Sequence, residues 1–179
     1  MTIVQAREAI WERLEKHIGC RIVLADSIAE QPAFPYGYYS VLAPRITSHS
    51  FGLIGVVEKP DGFTRQRSEP VSATMSFTFC SQDRNTQDGD YVFGEDEALE
   101  LTEKAHGFFL LNGHNIATEH GDIVIQNVGR VSSRTSFLVT DTVRRYGFDI
   151  RFGYVRTDEM PTVTIKDPGN PHGSYNKEV

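Results

Sequence analysis

Cysteine, positive charge and long apolar runs are all scarce in this chain, and each scarcity removes a class of protein. Two cysteines, Cys20 and Cys80, among 179 residues cannot build a disulfide framework, so both read as reduced thiols of an intracellular protein. The net charge is −6 at pH 7, which argues against general nucleic-acid binding through a basic surface that displaces counterions from phosphate. The apolar run Phe108 to Leu111 is far short of a membrane span. The opening residues, MTIVQAREAIWERLEKH, mix acids with bases and lack the basic start and apolar centre of a signal peptide. The expectation is a soluble, unprocessed, cytosolic product with one compact domain, for which 39 % hydrophobic residues give an ordinary core.

Signatures of catalysis are sparse as well. There is no Gly-x-Ser-x-Gly elbow, and FGLIG lacks the glycine spacing that cradles phosphate. His106, His114 and His120 lie near Asp122, but the intervals are eight and six, not the four that puts two histidines on one helix face. Lone histidines usually belong to the surface or to a satisfied core, so a metal- or ligand-binding domain stands only as an alternative. Glu95, Asp96 and Glu97 at a helix start compensate its dipole. Neither an enzyme nor a cofactor is expected.

What the chain does have is periodicity. YGFDIRFGYV, Tyr146 to Val155, puts Tyr146, Phe148, Ile150, Phe152 and Tyr154 on one face and Gly147, Asp149, Arg151 and Gly153 on the other. VSATMSFTFC, Val71 to Cys80, repeats the pattern, so the two strands are expected in one sheet. Gly147 and Gly153 suggest close backbone approach or a bulge, and Asp149 and Arg151 read as structural or interface residues.

A helix is expected at the start: Thr2 and Gln5 have capping-box spacing, Val4, Ile10, Leu14 and Ile18 form a stripe with Trp11 beside it, and Gly19 ends it. A second places Ala98, Leu101, Ala105, Phe108 and Phe109 on its stripe, with Gly113 past its end. RIVLA and DIVIQNVG read as short strands, Tyr38 to Ile46 and Phe51 to Glu58 as two strands joined by a polar turn over Thr47 to Ser50. The polar stretches Lys59 to Pro70, which would suit a long hairpin tip, and Gln82 to Gly94 read as excursions. Pro32 and Pro35 break the backbone into a connector, and RVSSRTSFLVTDTVRR reads as a polar passage. The fold class is α+β: a mainly antiparallel sheet of about five or six strands, two helices packed on one face, and long polar loops. Residues 1–160 form the domain and 161–179 an extended tail, in which only Val163 and Ile165 look strand-like.

Charge is unevenly spread. From Gln82 to Lys104 eight acids stand against Arg84 and Lys104 alone, whereas from Ile123 to Arg156 six arginines stand against Asp141 and Asp149. Such segments read either as solvated surfaces or as patches that meet between copies.

The order of these motifs resembles the neck or tail-terminator proteins of tailed bacteriophages. The likeness rests on a short amphipathic helix, the connector QPAFPYGYYSVL, the strand VSATMSFTFC, the helix EDEALELTEKAHGFFL and the strand RRYGFDIRFGYV. The resemblance implies a structural virion protein of the neck, assembled in the host cytoplasm: a homohexameric ring that caps the tail tube and is docked by the head connector. Tube protein, sheath protein and head–tail adaptor would be partners, and DNA would pass the lumen without specific binding, helped by an acidic bore. It implies no catalysis, cofactor or membrane. Interface candidates under it are Arg144, Arg145, Asp149 and Arg151 on the strand, Glu97, Glu100 and Glu103 on the second helix, and the two excursions as docking arms. A head-completion or tail-completion protein is the alternative within the neck.

Overall fold

A computed structural model describes residues 1–26, 32–47, 51–60, 62–86, 89–111, 114–135 and 142–161. Helix α1 (Ile3–Ile18) precedes strands β1 (Ile22–Leu24), β2 (Tyr36–Thr47), β3 (Leu53–Lys59), β4 (Gly62–Ser81), β5 (Arg84–Asn85) and β6 (Tyr91–Val92). Helix α2 (Gly94–Leu111) leads to β7 (Asn115–Thr118), β8 (Gly121–Val128), β9 (Ser132–Ser133) and β10 (Arg144–Pro161).

The two alternating stretches pair as their periodicity predicts. β4 and β10 are antiparallel neighbours, with Phe77 opposite Phe148, Met75 opposite Ile150, Ala73 opposite Phe152 and Val71 opposite Tyr154. All eight are buried, and they make one apolar face because residues directly opposite in a ladder point the same way. Around this pair the strand order is β1-β2-β4-β10-β8-β7, with β3 also on β4 and β9 also on β10. The class is therefore α+β, but the sheet has eight strands among the described residues, not five or six. The additional ones are two to four residues long or lie in polar sequence, where a period of two carries no hydrophobic signal. Among the described strands only the β1–β2 pair is parallel.

Both helices cover the apolar face. The capping box of α1 forms, with Gln5 N–H donating to Thr2 Oγ1 and Thr2 N–H to Gln5 Oε1, and Gly19 closes the helix at φ 72°. Its buried stripe is Ala6, Ile10, Leu14 and Ile18, whereas Val4 is 44 % exposed and falls off it. Trp11 stacks on Tyr39 of β2. In α2 the buried residues include Ala98, Thr102, Ala105, Phe108 and Phe109, while Leu101 is partly buried against the core. Phe109 reaches Phe77 and Phe148 at centroid distances of 5.6 and 6.0 Å, a tilted aromatic cluster in the preferred range. Lys104 Nζ donates to the Ile18 carbonyl at the end of α1.

Two expected connections are different. The stretches read as strands joined by a polar turn are β2 and β3, but they do not pair with each other. β2 lies against residues 71–80 of β4 and β3 against residues 62–68, one after the other along the same edge. Residues 48–50 of the expected turn lie outside the described residues. The polar excursion does form a hairpin, as a long tip would, but Lys59 and residues 62–70 are strand: β3 and the first part of β4 pair down to Lys59 with Gly62. Residues 156–161 of β10 pair with the other edge of β4, giving a three-stranded arm. In the second excursion β5 and β6 pair as a small hairpin. Gly113, Asp141, Val163 and Ile165 lie outside the described residues.

Candidate assembly surfaces

On the sheet face opposite the helices, Asp149 and Gly147 have a common partner. Arg134, from the segment after β9, lies flat across the strands: its Nη1 donates to Ser76 Oγ (2.6 Å) and Thr78 Oγ1 (2.7 Å), its Nη2 to Asp149 Oδ1 (2.7 Å). A Cβ on Gly147 would stand 2.9 Å from the guanidinium carbon and collide with the Phe77 carbonyl oxygen, so only glycine leaves room for the arginine. At Gly153 a Cβ would meet the amide end of Gln126, whose Nε2 lies 2.5 Å away and whose Oε1 accepts from Ser72 Oγ, a flexible neighbour that can give way. A β-bulge separates Arg151 from Phe152 in the pairing with β8. Close approach thus requires glycine at 147, while Gly153 lies beside the bulge.

Arg151 is exposed and, among the described residues, has no ion pair. It borders a groove of about 620 Å3 with Val124, Gln126, Gly153, Pro70, His120 and Asp122.

The start of α2 is held by charge. Arg84 grips Glu97 through both terminal nitrogens, at 2.6 and 2.7 Å, a bidentate geometry that strengthens the pair. Ser81 Oγ also donates to Glu97. The hydrogen bond from Arg84 is the main cause that holds the Glu97 carboxyl below the usual glutamate range, with burial working against it. Asp83 Oδ1 accepts from the Gly94 N–H and so satisfies a donor of the first turn. Tyr146 donates to Glu95 Oε1 at 2.8 Å, a bond that raises the tyrosine pKa. Glu100 and Glu103 are exposed on the same helix, without ion pairs among the described residues. Arg144 and Arg145 are half-buried opposite Ser81 and Cys80 at the start of β10. Of the sequence-selected residues, Glu97 and Asp149 have their counter-ions within the chain, while Arg151, Glu100 and Glu103 face solvent.

The arm is the least covered part of the described molecule. β3 exposes Leu53 (81 %), Ile54, Val56 (63 %) and Val57, and β4 exposes Phe63. In place of a core, a ladder of charges runs along the face continuous with the apolar one. Glu69 is 1 % exposed and accepts from Arg45 Nη2 (2.7 Å) and Arg67 Nη2 (2.5 Å). Arg67 continues to Asp158, which accepts from Arg156. Sequence reading missed Arg134 and Glu69. The second left a signal, since Glu69 and Arg67 share the parity of Val71, Ala73 and Met75, so a charge falls where the buried row continues.

The histidines do not converge. His106 Nε2 lies 3.0 Å from the Gly129 carbonyl and its ring stands edge-on to Phe148, whereas His114 and His120 are exposed. Among the described residues no group of three His, Cys, Asp or Glu is placed to hold a metal ion, and no helix is long and apolar enough to cross a membrane. Cys20 and Cys80 are buried as free thiols, and burial is the main cause that pushes the Cys20 pKa up to about 11, which suppresses the reactive thiolate.

A protein-family model described as phage neck terminator protein matches residues 8–175. No curated protein matches the chain at a significant level.

Proposed function

Because the chain belongs to the phage neck terminator family, a structural component of the virion neck, we propose that six copies form the ring that ends the tail. On this reading the ring caps the tail tube, with the sheath protein as a further neighbour in a contractile tail, and offers its other side to the head connector. Copies meet the cytoplasm of the host before the virion, and DNA passes the lumen without specific binding. The match across nearly the whole chain carries the reading.

The distribution of surface supports it. A ring needs heterologous contacts, in which one patch of a subunit meets a different patch of the next. This molecule has unlike surfaces: exposed acids Glu100 and Glu103 on α2, exposed Arg151 in the middle of β10, half-buried Arg144 and Arg145 at its start, and an arm with the exposed apolar strand β3. Asp149 and Glu97 contribute by fixing Arg134 and Arg84, the residues that hold the 129–135 segment and the β5–β6 hairpin in place. Phage particles made without the protein test the role. Tubes of uncontrolled, excessive length are expected, and native mass measurement of the ring is expected to give six copies. Tubes of normal length with unfilled or detached heads would assign the chain to head or tail completion instead.

A further inference from the structure

The arm has two free edges. β3 pairs with β4 on one side only, and among the described residues nothing pairs with its other side; the same holds for residues 156–161 of β10. Beyond Tyr154 the pairing of β10 with β8 has stopped, and the Val155 carbonyl accepts from the Met1 ammonium. The two edges are similar in length, seven residues in β3 and six in 156–161. Folded proteins normally blunt a free edge with short strands, lysine, proline or inward charge. β3 does the reverse over Leu53, Ile54, Gly55, Val56 and Val57, with charge only at Glu58 and Lys59.

We propose that the arms join copies of this chain edge to edge, the free edge of β3 in one copy pairing with residues 156–161 of the next. The inference rests on the ring reading and names its seam. β3 and β10 are both antiparallel to β4, so they run in the same direction, and subunits related by rotation meet through parallel pairing. A second copy is the fitting occupant because this contact uses both free edges of the arm and leaves neither bare once the ring closes, whereas a two-fold β3–β3 contact leaves 156–161 open. Lengthwise the pairing is economical, since seven residues of β3 cover six of 156–161 with Glu58 and Lys59 at the far end of the contact. Six copies would bring together about eighteen arm strands, the size at which a closed barrel leaves an aqueous channel.

Cysteine pairs test the seam in the full-length protein, both purified and in particles. Leu53→Cys, Gly55→Cys and Val57→Cys, each combined with Thr157→Cys, sample successive registers on the face away from the helices. Within one chain such a bridge cannot close, because β4 intervenes and two strand spacings of about 4.8 Å exceed the disulfide reach of about 7 Å. Cys20 and Cys80 are buried and do not compete. On oxidation at least one double variant should give a ladder of covalent oligomers ending at ring size, and no single variant should. Ile54→Lys/Val56→Lys, at exposed positions, should shift the ring to single subunits by at least tenfold in concentration without changing the melting profile of the dilute single subunit. Dimers from a β3 single variant, or rings that survive the lysines and give no ladder, overturn the seam and leave the terminator reading standing. The same absence of a ladder is the outcome if residues 162–179 or the tube protein occupy the edge. Normal-length tails without the protein would instead overturn the terminator reading, whatever the ladder shows.

Discussion

β4 and β10 pass side by side through two surroundings. In the body, residues 71–79 of β4 and 148–154 of β10 lie under α1 and α2, and Phe77, Phe79, Phe148 and Phe152 are sealed from water. A few residues further along the same strands the helices end, and the same face carries Glu69, Arg67, Asp158 and Arg156. The body draws its stability from burial, at roughly 25 cal/mol per Å2 of apolar surface. The arm has hydrogen-bonded strands and a charge ladder, which contribute less, because partly exposed ion pairs are worth about 0–1 kcal/mol each. One continuous pair of strands can therefore be a fold at one end and an assembly surface at the other.

Substitutions in the two regions should separate them. Phe77→Ala, at the centre of the Phe77, Phe109 and Phe148 cluster, should cost about 3–5 kcal/mol in a urea melt and unfold body and arm together. Gly147→Ala should cost about 1–3 kcal/mol, since the added methyl meets the Phe77 carbonyl and displaces Arg134; a variant as stable as the parent would mean that the arginine is not seated there. Glu69→Ala removes the shared acceptor of Arg45 and Arg67. It should destabilise by about 1–2 kcal/mol and do so locally, with faster hydrogen exchange in residues 62–68 and unchanged exchange in residues 73–79.

Acid sharpens the same contrast. The Glu97 carboxyl is held below its ordinary range mainly by Arg84, so its contribution is fully present above the ordinary glutamate pKa of about 4.3 and is lost as pH falls from there through the lower folded-state value. The melting temperature of the parent should drop more steeply between about pH 5 and pH 3 than that of Glu97→Gln. Parallel curves would remove Glu97 from the acid response. Smallest of all, Glu100→Gln and Glu103→Gln should stay within about 0.5 kcal/mol of the parent in the isolated subunit.

The body was legible in the sequence wherever the pattern reports burial: the alternation of β4 and β10, the capping box of α1 and the apolar stripe of α2 are all realised. The arm was not. Phe-Thr-Arg-Gln-Arg-Ser-Glu in β4 has little apolar alternation because neither arm face is covered by a helix, and a strand of that kind looks like a loop. The collinear course of β2 and β3 was hidden for a related reason, since two strands on either side of a polar segment suggest a hairpin unless the third strand that holds both is known. At the candidate surface, the odd glycines and Asp149 were visible, but their partner Arg134 lies in a polar passage whose destination only the fold reveals. That six arginines lie between residues 123 and 156 gave no hint that one of them is bound face-down on the sheet.

Hydrogen exchange on the full chain, compared between dilute subunits and the assembled ring, addresses the division into body and arm most directly. Residues 73–79 and 148–153 should be protected in both states, while residues 53–59 and 156–161 should exchange quickly in the subunit and slowly in the ring. An arm already protected in the single subunit, or still unprotected in the ring, would contradict the account.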